Sequence, residues 1–289
     1  TLKWNMRNAL SLALSGQSKV GHDIGGFTGP RPGPELLCRW IEMMALHPRA
    51  VMNSWKPEVA PDWQAATTPW LYPEMLAPIR GALNLRTVFL PLMYSLAQQA
   101  ALDGSPVIRP LFHEFPDDED AYADQDAMML GPDVLFSPVV VEGARTKAQR
   151  LPAAPHGWIA FHSGEFHEGG QTVMVEAPLG RPPIFVRGGA ALVLASATPD
   201  VKPHDAPARR LYLAATGTSG SGQGRHFEDD GVSHAWRQGD ALALSIALSW
   251  TDQEIVARIS RTGLRTTPSS WSVDCPAGTG RGLKIIDQD

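Results

Sequence analysis

The hydrophobic period changes once along this chain, close to Gly104, and that change constrains the fold more than any single motif. Before it, apolar residues recur every three or four positions; after it, they come in short runs cut by proline, glycine and acidic turns. In the first part Leu2, Met6, Ala9, Leu10, Ala13 and Leu14 line one face of a helix over 2–14, with Gly16 placed to cap it. The glycine-bearing segment 19–27 reads as a short strand entering a loop. Pro34 suits the first turn of a second helix over 35–45. Residues 49–54 read as another short buried strand. A third helical region over 73–102 carries Pro78 and Pro91, where a break or kink is expected. Helices and strands therefore alternate, as in α/β architecture.

Beyond Gly104, the runs 134–141, 158–162, 171–177 and 184–187 have strand length and β-branched or alternating composition, which predicts a β-sandwich. Thr198-Pro199-Asp200, with Pro203 and Pro207, marks a second boundary. Leu242, Leu244, Ile246 and Leu248 then alternate with small or polar residues, so a further β-domain is expected. The Gly/Ser-rich stretch 217–224 reads as a flexible loop, because it lacks the lysine of a phosphate-binding loop.

Charge and composition exclude several function classes. With 25 basic and 30 acidic residues the net charge is −5, and no basic run accompanies it. Phosphate contact needs clustered Lys and Arg, so nucleic acid is not an expected partner. No apolar run approaches the ~18 residues of a membrane span, so no membrane partner is expected either. Two cysteines, Cys38 and Cys275, cannot form a disulfide scaffold and fit a reducing compartment, which makes a cytoplasmic location the expectation. Homo-oligomerisation is left open. The chain opens Thr1-Leu2-Lys3-Trp4 without an initiator methionine and reads as the interior of something longer.

Candidate chemistry concentrates in the first part. Trp40, Trp55, Trp63 and Trp70 fall close together. Trp40 lies in a predicted helix and reads as core, whereas Trp55 and Trp63 lie in loops where contact with the C–H face of a sugar and plain surface exposure are both open. Asp23 sits where a strand meets a glycine-rich loop, a place where carboxylates either act or cap turns. The acidic runs 117–120 and 228–231 read as solvated turns. His156, His162 and His167 match no zinc spacing, so neither metal nor cofactor is expected.

The order of several short motifs resembles glycoside hydrolase family 31, the retaining α-glucosidases and α-xylosidases. They include Gly21-His22-Asp23-Ile24-Gly25-Gly26-Phe27, Pro69-Trp70-Leu71-Tyr72-Pro73-Glu74, Arg109-Pro110-Leu111-Phe112, Gly131-Pro132-Asp133-Val134-Leu135, Pro183-Ile184-Phe185-Val186-Arg187-Gly188-Gly189 and Glu228-Asp229-Asp230-Gly231. The resemblance implies the C-terminal part of a (β/α)8 barrel over 1–112, a proximal β-sandwich over 113–197 and a distal one over 198–289. It implies an exo-acting α-glucosidase that forms a covalent glycosyl intermediate on an α-glucoside or oligosaccharide. The family's Trp-x-Asp-Met-Asn-Glu and Gly-Asp-Asn motifs, which carry the nucleophile and the acid/base, do not occur in these residues. The chain alone is then expected to be inactive, and no residue of it is assigned to the reacting pair.

What the resemblance does carry over is substrate contact. Asp23 and Ile24 match a strand-end Asp-Ile, and Phe27 the aromatic, that line the glucosyl pocket. Asn53 stands where many relatives have a sugar-binding His, and Val51 where many have an Arg. Asn keeps a donor and an acceptor but cannot titrate. Trp55, named from its place in a loop and not from the resemblance, completes the expected substrate contacts. A second reading, from a different class, is a non-catalytic carbohydrate-binding or assembly module, motivated by the tryptophan cluster and the β-domains.

Overall fold

Helix α1 (Leu2–Leu14) forms where the spacing predicts and buries Leu2, Met6, Ala9, Leu10 and Ala13 on one face. It stops at Gly16, whose φ of 89° suits a residue without a Cβ. Gly16 N donates to Ala13 O and Gln17 N donates to Leu12 O, the paired bonds that satisfy the last carbonyls. A computed structural model describes residues 1–56, 66–123, 126–196, 208–265, 271–278 and 280–288. Trp63 and the proline-rich boundary at 198–207 lie outside the described residues.

Helix α2 (Pro34–Met44) starts on the expected proline and is buried on every side from Leu37 onward. A helix enclosed all round normally carries no charge, yet this one holds Arg39 and Glu42. Arg39 Nη1 donates to Glu42 Oε2 at 2.8 Å, and Arg39 Nη2 reaches the carbonyls of Ala144 and Ala177 at 2.7 and 2.9 Å. Glu42 Oε1 accepts the Gly180 N–H at 2.5 Å. The pair thus satisfies backbone groups of the β-rich part from inside the helical part. Cys38, beside it, is a free buried thiol, pushed up to about 12 by burial and the Glu42 carboxylate.

A 3-10 turn at Pro73–Met75 leads into helix α3 (Leu76–Asp103), which runs 28 residues without interruption. The expected breaks do not occur. Pro78 falls in the first turn, where its missing N–H has no intrahelical partner to lose. Pro91 is interior, but Val88, Phe89, Leu92 and Met93 around it are all buried, so packing holds the helix through it. The strands predicted at 19–27 and 49–54 shrink to one parallel bridge, Asp23 to Val51, flanked by Ile24 N to Val51 O at 2.9 Å and Arg49 N to Val20 O at 3.2 Å. Among the described residues neither segment pairs with a third, and a ladder this short gives few bonds.

The β-rich part opens with β1 (Ile108–Arg109), α4 (Leu111–Glu114), α5 (Glu119–Ala123), β2 (Met128–Leu130) and β3 (Val134–Phe136). Then follow β4 (Thr146–Leu151), β5 (Trp158–Ala160), β6 (Phe166–His167), β7 (Gln171–Glu176) and β8 (Ile184–Arg187). Six of them make one sheet in the order β1-β2-β3-β8-β5-β6, and β4 pairs separately with β7. The run 134–141 gives strand only to Phe136, and the acidic run 117–120 enters α5 instead of remaining a turn.

A second group follows: β9 (Ala191–Ala195), β10 (Arg209–Leu213), β11 (Gly220–Glu228), β12 (Leu242–Trp250), β13 (Glu254–Thr262), β14 (Ser272–Asp274) and β15 (Gly282–Gln288). They form the sheets β14-β10-β9 and β11-β12-β13-β15. Leu242, Leu244, Ile246, Leu248 and Trp250 fill a core between them with Val193, Leu211 and Leu213. Because β9 pairs with β10, it groups with strands beyond the 197/198 division read from sequence. The supposed flexible loop 217–224 is largely strand β11. Its glycines allow close approach: a Cβ on Gly222 would lie 1.8 Å from Gly189 O, and one on Gly224 1.7 Å from Ala191 O. Strand β15 runs parallel to β13 at the sheet edge, exposed along its whole length. Among the described residues no helix is long and apolar enough to cross a membrane.

Two outcomes test this architecture. Glu42→Ala leaves Arg39 buried and uncompensated and should cost about 3–5 kcal/mol, whereas Arg39→Met/Glu42→Leu should cost much less, both read from denaturant midpoints. His47 is fully enclosed, and burial lowers its pKa from 6.5 to about 4. The unfolded chain therefore takes up a proton that the folded one refuses. Stability is full above pH 6.5 and falls toward pH 4, by on the order of 3 kcal/mol from this residue. His47→Gln should remove that part of the slope in urea titrations across this window.

Candidate functional site

The bridge between the two short segments decides which side chains meet. Gly21 lets them close: a Cβ there would sit 1.9 Å from Arg49 O. With the backbones in contact, Asp23 faces residues 26 and 30 positions later in sequence. Arg49 Nη2 donates to Asp23 Oδ1 at 2.8 Å and Arg49 Nη1 to Gly21 O at 3.3 Å. Asn53 Nδ2 approaches Asp23 Oδ2 at 3.4 Å, a long bond. Both carboxylate oxygens are engaged, and the Asn53 amide oxygen remains an open acceptor.

Neighbouring elements hold this arrangement from behind. Arg86 on α3 donates to Ala45 O, His47 O and Pro48 O, gathering the carbonyls that follow α2 and fixing where Arg49 begins. His47 Nδ1 donates to Met43 O at 2.7 Å. His22 packs near Trp4 with ring centroids 6.2 Å apart, and burial lowers its pKa, so the imidazoles behind the site favour the neutral form.

Asp23, Asn53 and Arg49 form one cluster, with Asp23 half-buried and the other two exposed. Ile24 is 4% exposed within the main core, so it supports the cluster from beneath. Phe27 and Trp55 are 47% and 64% exposed, and Trp55 N donates to Phe27 O at 2.6 Å, which ties the two aromatic positions together. Lys56, the next residue, is buried and donates to Thr28 O, Gly29 O and Pro30 O, so it anchors the loop that carries Phe27. Trp40 is core, as its helical position predicts; Trp70 is exposed.

Sequence reasoning missed Arg49. The signal was its place two residues before Val51, hence on the same side of an extended segment as Val51 and Asn53. The cluster offers one carboxylate, one guanidinium and one amide beside two open aromatic faces. That set has the donors and acceptors to bond hydroxyl groups, and among the described residues it holds no second acid to pair with Asp23. Among the described residues no group of three or more His, Cys, Asp and Glu is placed to hold a metal ion.

Comparison with known proteins bears on this geometry. Residues 1–96 match the model of the glycosyl hydrolases family 31 TIM-barrel domain, and residues 104–192 match that of the glycosyl hydrolase family 31 C-terminal domain. Alpha-glucosidase 2 of Bacillus thermoamyloliquefaciens is 29% identical over 274 residues, covering 94% of this chain and 33% of the relative. Human neutral alpha-glucosidase AB is 34% identical over 238 residues, covering 80% of this chain and 24% of the relative. The chain therefore spans between a quarter and a third of these relatives. Among solved structures, a dextranase of Flavobacterium johnsoniae complexed with glucose superposes with a TM-score of 0.82 at 22% identity, over 94% of this chain and 34% of its own. An alpha-xylosidase of Xanthomonas citri gives 0.72 at 26% identity, over 95% and 31%.

If backbone contact sets the cluster, Gly21→Ala should destabilise the chain by about 2–3 kcal/mol through forced separation of the segments. Arg49→Ala, which removes the exposed partner of a half-buried carboxylate, should cost about 1 kcal/mol or less. Thermal melts of the two variants would show this order.

Proposed function

The chain belongs to glycosyl hydrolase family 31, and from that premise we propose that it forms the sugar-binding end of an exo-acting, retaining α-glucosidase. Residues 1–112 would then close a (β/α)8 barrel, followed by two β-sandwiches. We set the division between the sandwiches before Ala191, because β9 pairs with β10. The observation that carries the proposal is the Asp23 carboxylate, clasped by Arg49 and Asn53 beside the exposed Phe27 and Trp55.

In this reading Asp23 accepts a hydrogen bond from a hydroxyl of the terminal glucosyl unit, and Arg49 holds the carboxylate in place. The free amide oxygen of Asn53 accepts a second hydroxyl. Phe27 and Trp55 offer apolar faces to the C–H side of the ring. Ile24 fixes the depth of the strand end. Retaining hydrolysis needs two further carboxyl groups about 5–5.5 Å apart: one attacks the anomeric carbon, while the other protonates the departing oxygen and then activates water. By family pattern those groups belong to sequence outside these residues, so the reaction needs the longer protein. The α-linkage preference follows the similarity to α-glucosidases.

The test uses the longer protein with these 289 residues in place. It should release glucose from maltose, and Asp23→Asn should lower kcat/KM by about 30-fold, the loss of one charge-assisted hydrogen bond to the substrate. Unchanged kinetics in that variant, or turnover by the 289-residue chain alone, would overturn the proposal.

A further inference from the structure

A second cluster of polar groups lies where α3, the turn after β2 and strand β11 meet, and it shares no residue with the Asp23 cluster. A cleft of about 290 Å³ opens there. Its floor is apolar: Leu92 and Leu96 from one stripe of α3, and Leu192 from β9. Asp133 stands at one wall. Its backbone carbonyl accepts Arg187 N at 2.8 Å; among the described residues its carboxylate accepts no hydrogen bond, and only the charges of Arg187, Glu114 and Arg109 act on it. Burial raises that carboxyl to about 6, against the pull of Arg187 and Arg109. Arg109 lines the same wall, is buried, and donates Nη1 to Glu114 at 2.5 Å, while its Nε has no partner. Across the cleft, Gln223 and Arg225 project from β11.

This composition selects a class of ligand. A divalent cation would meet one carboxylate and two guanidinium groups, and an anion would meet Asp133. A neutral polyhydroxylated ring has donors for Asp133 and acceptors for Arg225 and the Gln223 amide, with an apolar face for Leu92, Leu96 and Leu192. The volume lies at the lower edge of small-molecule pockets, which span roughly 300–1,000 Å³. We propose that this seam is a saccharide-binding site distinct from the Asp23 cluster, taking one glycosyl unit through Asp133, Gln223 and Arg225.

The glycines of β11 make the site possible. Gly222 and Gly224 bring the strand against the carbonyls of Gly189 and Ala191, which sets Gln223 and Arg225 opposite α3. The seam stands independently of the reaction proposed above, since its ligand contacts lie on other elements.

Calorimetric titration of the 289-residue chain with maltose tests it, alongside Asp133→Asn/Arg225→Ala and Asp23→Asn. The expected result is millimolar binding that weakens about tenfold in the seam variant and persists in Asp23→Asn. Binding that is lost in Asp23→Asn and intact in the seam variant would overturn the proposal, as would no heat from the unaltered chain. Should the seam variant melt early, Gln223→Ala, a change at an exposed strand position, replaces it with the same expectations. Binding lost only in Asp23→Asn would sink the seam while supporting the Asp23 reading, because the two sites are removed by different substitutions; the Asp23 reading is otherwise decided by the kinetics of the longer protein.

Discussion

The buried contact between Arg39 and Glu42 is the constraint on which the two halves of the molecule depend. Neither charge can face water, so each must spend its hydrogen-bonding capacity on fixed partners. Those partners are the backbone of residues 144, 177 and 180, in connections between strands, while the charges themselves ride on α2. An apolar interface of the same size would tolerate sliding. This one has directional bonds to three points and so fixes how the helical part seats on the sheets. The close approach of Gly180 to Pro78 of α3, where a Cβ would lie 2.6 Å from backbone atoms, extends the same seating to the longest helix.

From that seating the Asp23 cluster follows in order. Helix α3 presents Arg86 to the carbonyls behind α2, those carbonyls set the start of the segment carrying Arg49, and Gly21 lets the paired segment touch it. A second joint secures α3 on its other side. Ser95 Oγ accepts Phe227 N at 3.0 Å and lies 3.2 Å from His226 Nδ1, while His226 Nε2 donates to Glu228 at 2.7 Å. Arg209 pairs with the same carboxylate. Burial works against the ionised form of Glu228, but the bonds from His226 and Arg209 prevail and hold it down to about 2.

Local signals were legible in the sequence where local physics decides. Helix α1 was readable to the residue, because a 3.6-residue period and a following glycine act within a few positions. Strand β8 and the alternating core of β12 were legible for the same reason. Pro91 misled, since propensity speaks for an isolated helix and not for one packed on both sides of the proline. The glycines at 220, 222 and 224 misled as well: glycine signals freedom until another backbone is known to press against it. Asp23, Ile24, Phe27 and Asn53 could be named by family pattern and Trp55 by its place in a loop, but Arg49 could not. Its partner lies 26 residues away, and only the bridge to Val51 reveals that they meet.

Strand β15 lies at the rim of the distal sheet with Leu283, Ile285 and Ile286 open to solvent and one row of its backbone groups unsatisfied by the sheet. Lys284 and Asp287 are paired with Glu254 and Arg261 of the neighbouring strand, so their charges are largely balanced within the sheet while staying exposed. The rim thus has little electrostatic guard against self-recognition, and a like strand from another molecule would find both hydrogen-bonding groups and a greasy surface to extend. Concentrated solutions of this chain would meet their solubility limit at this rim first.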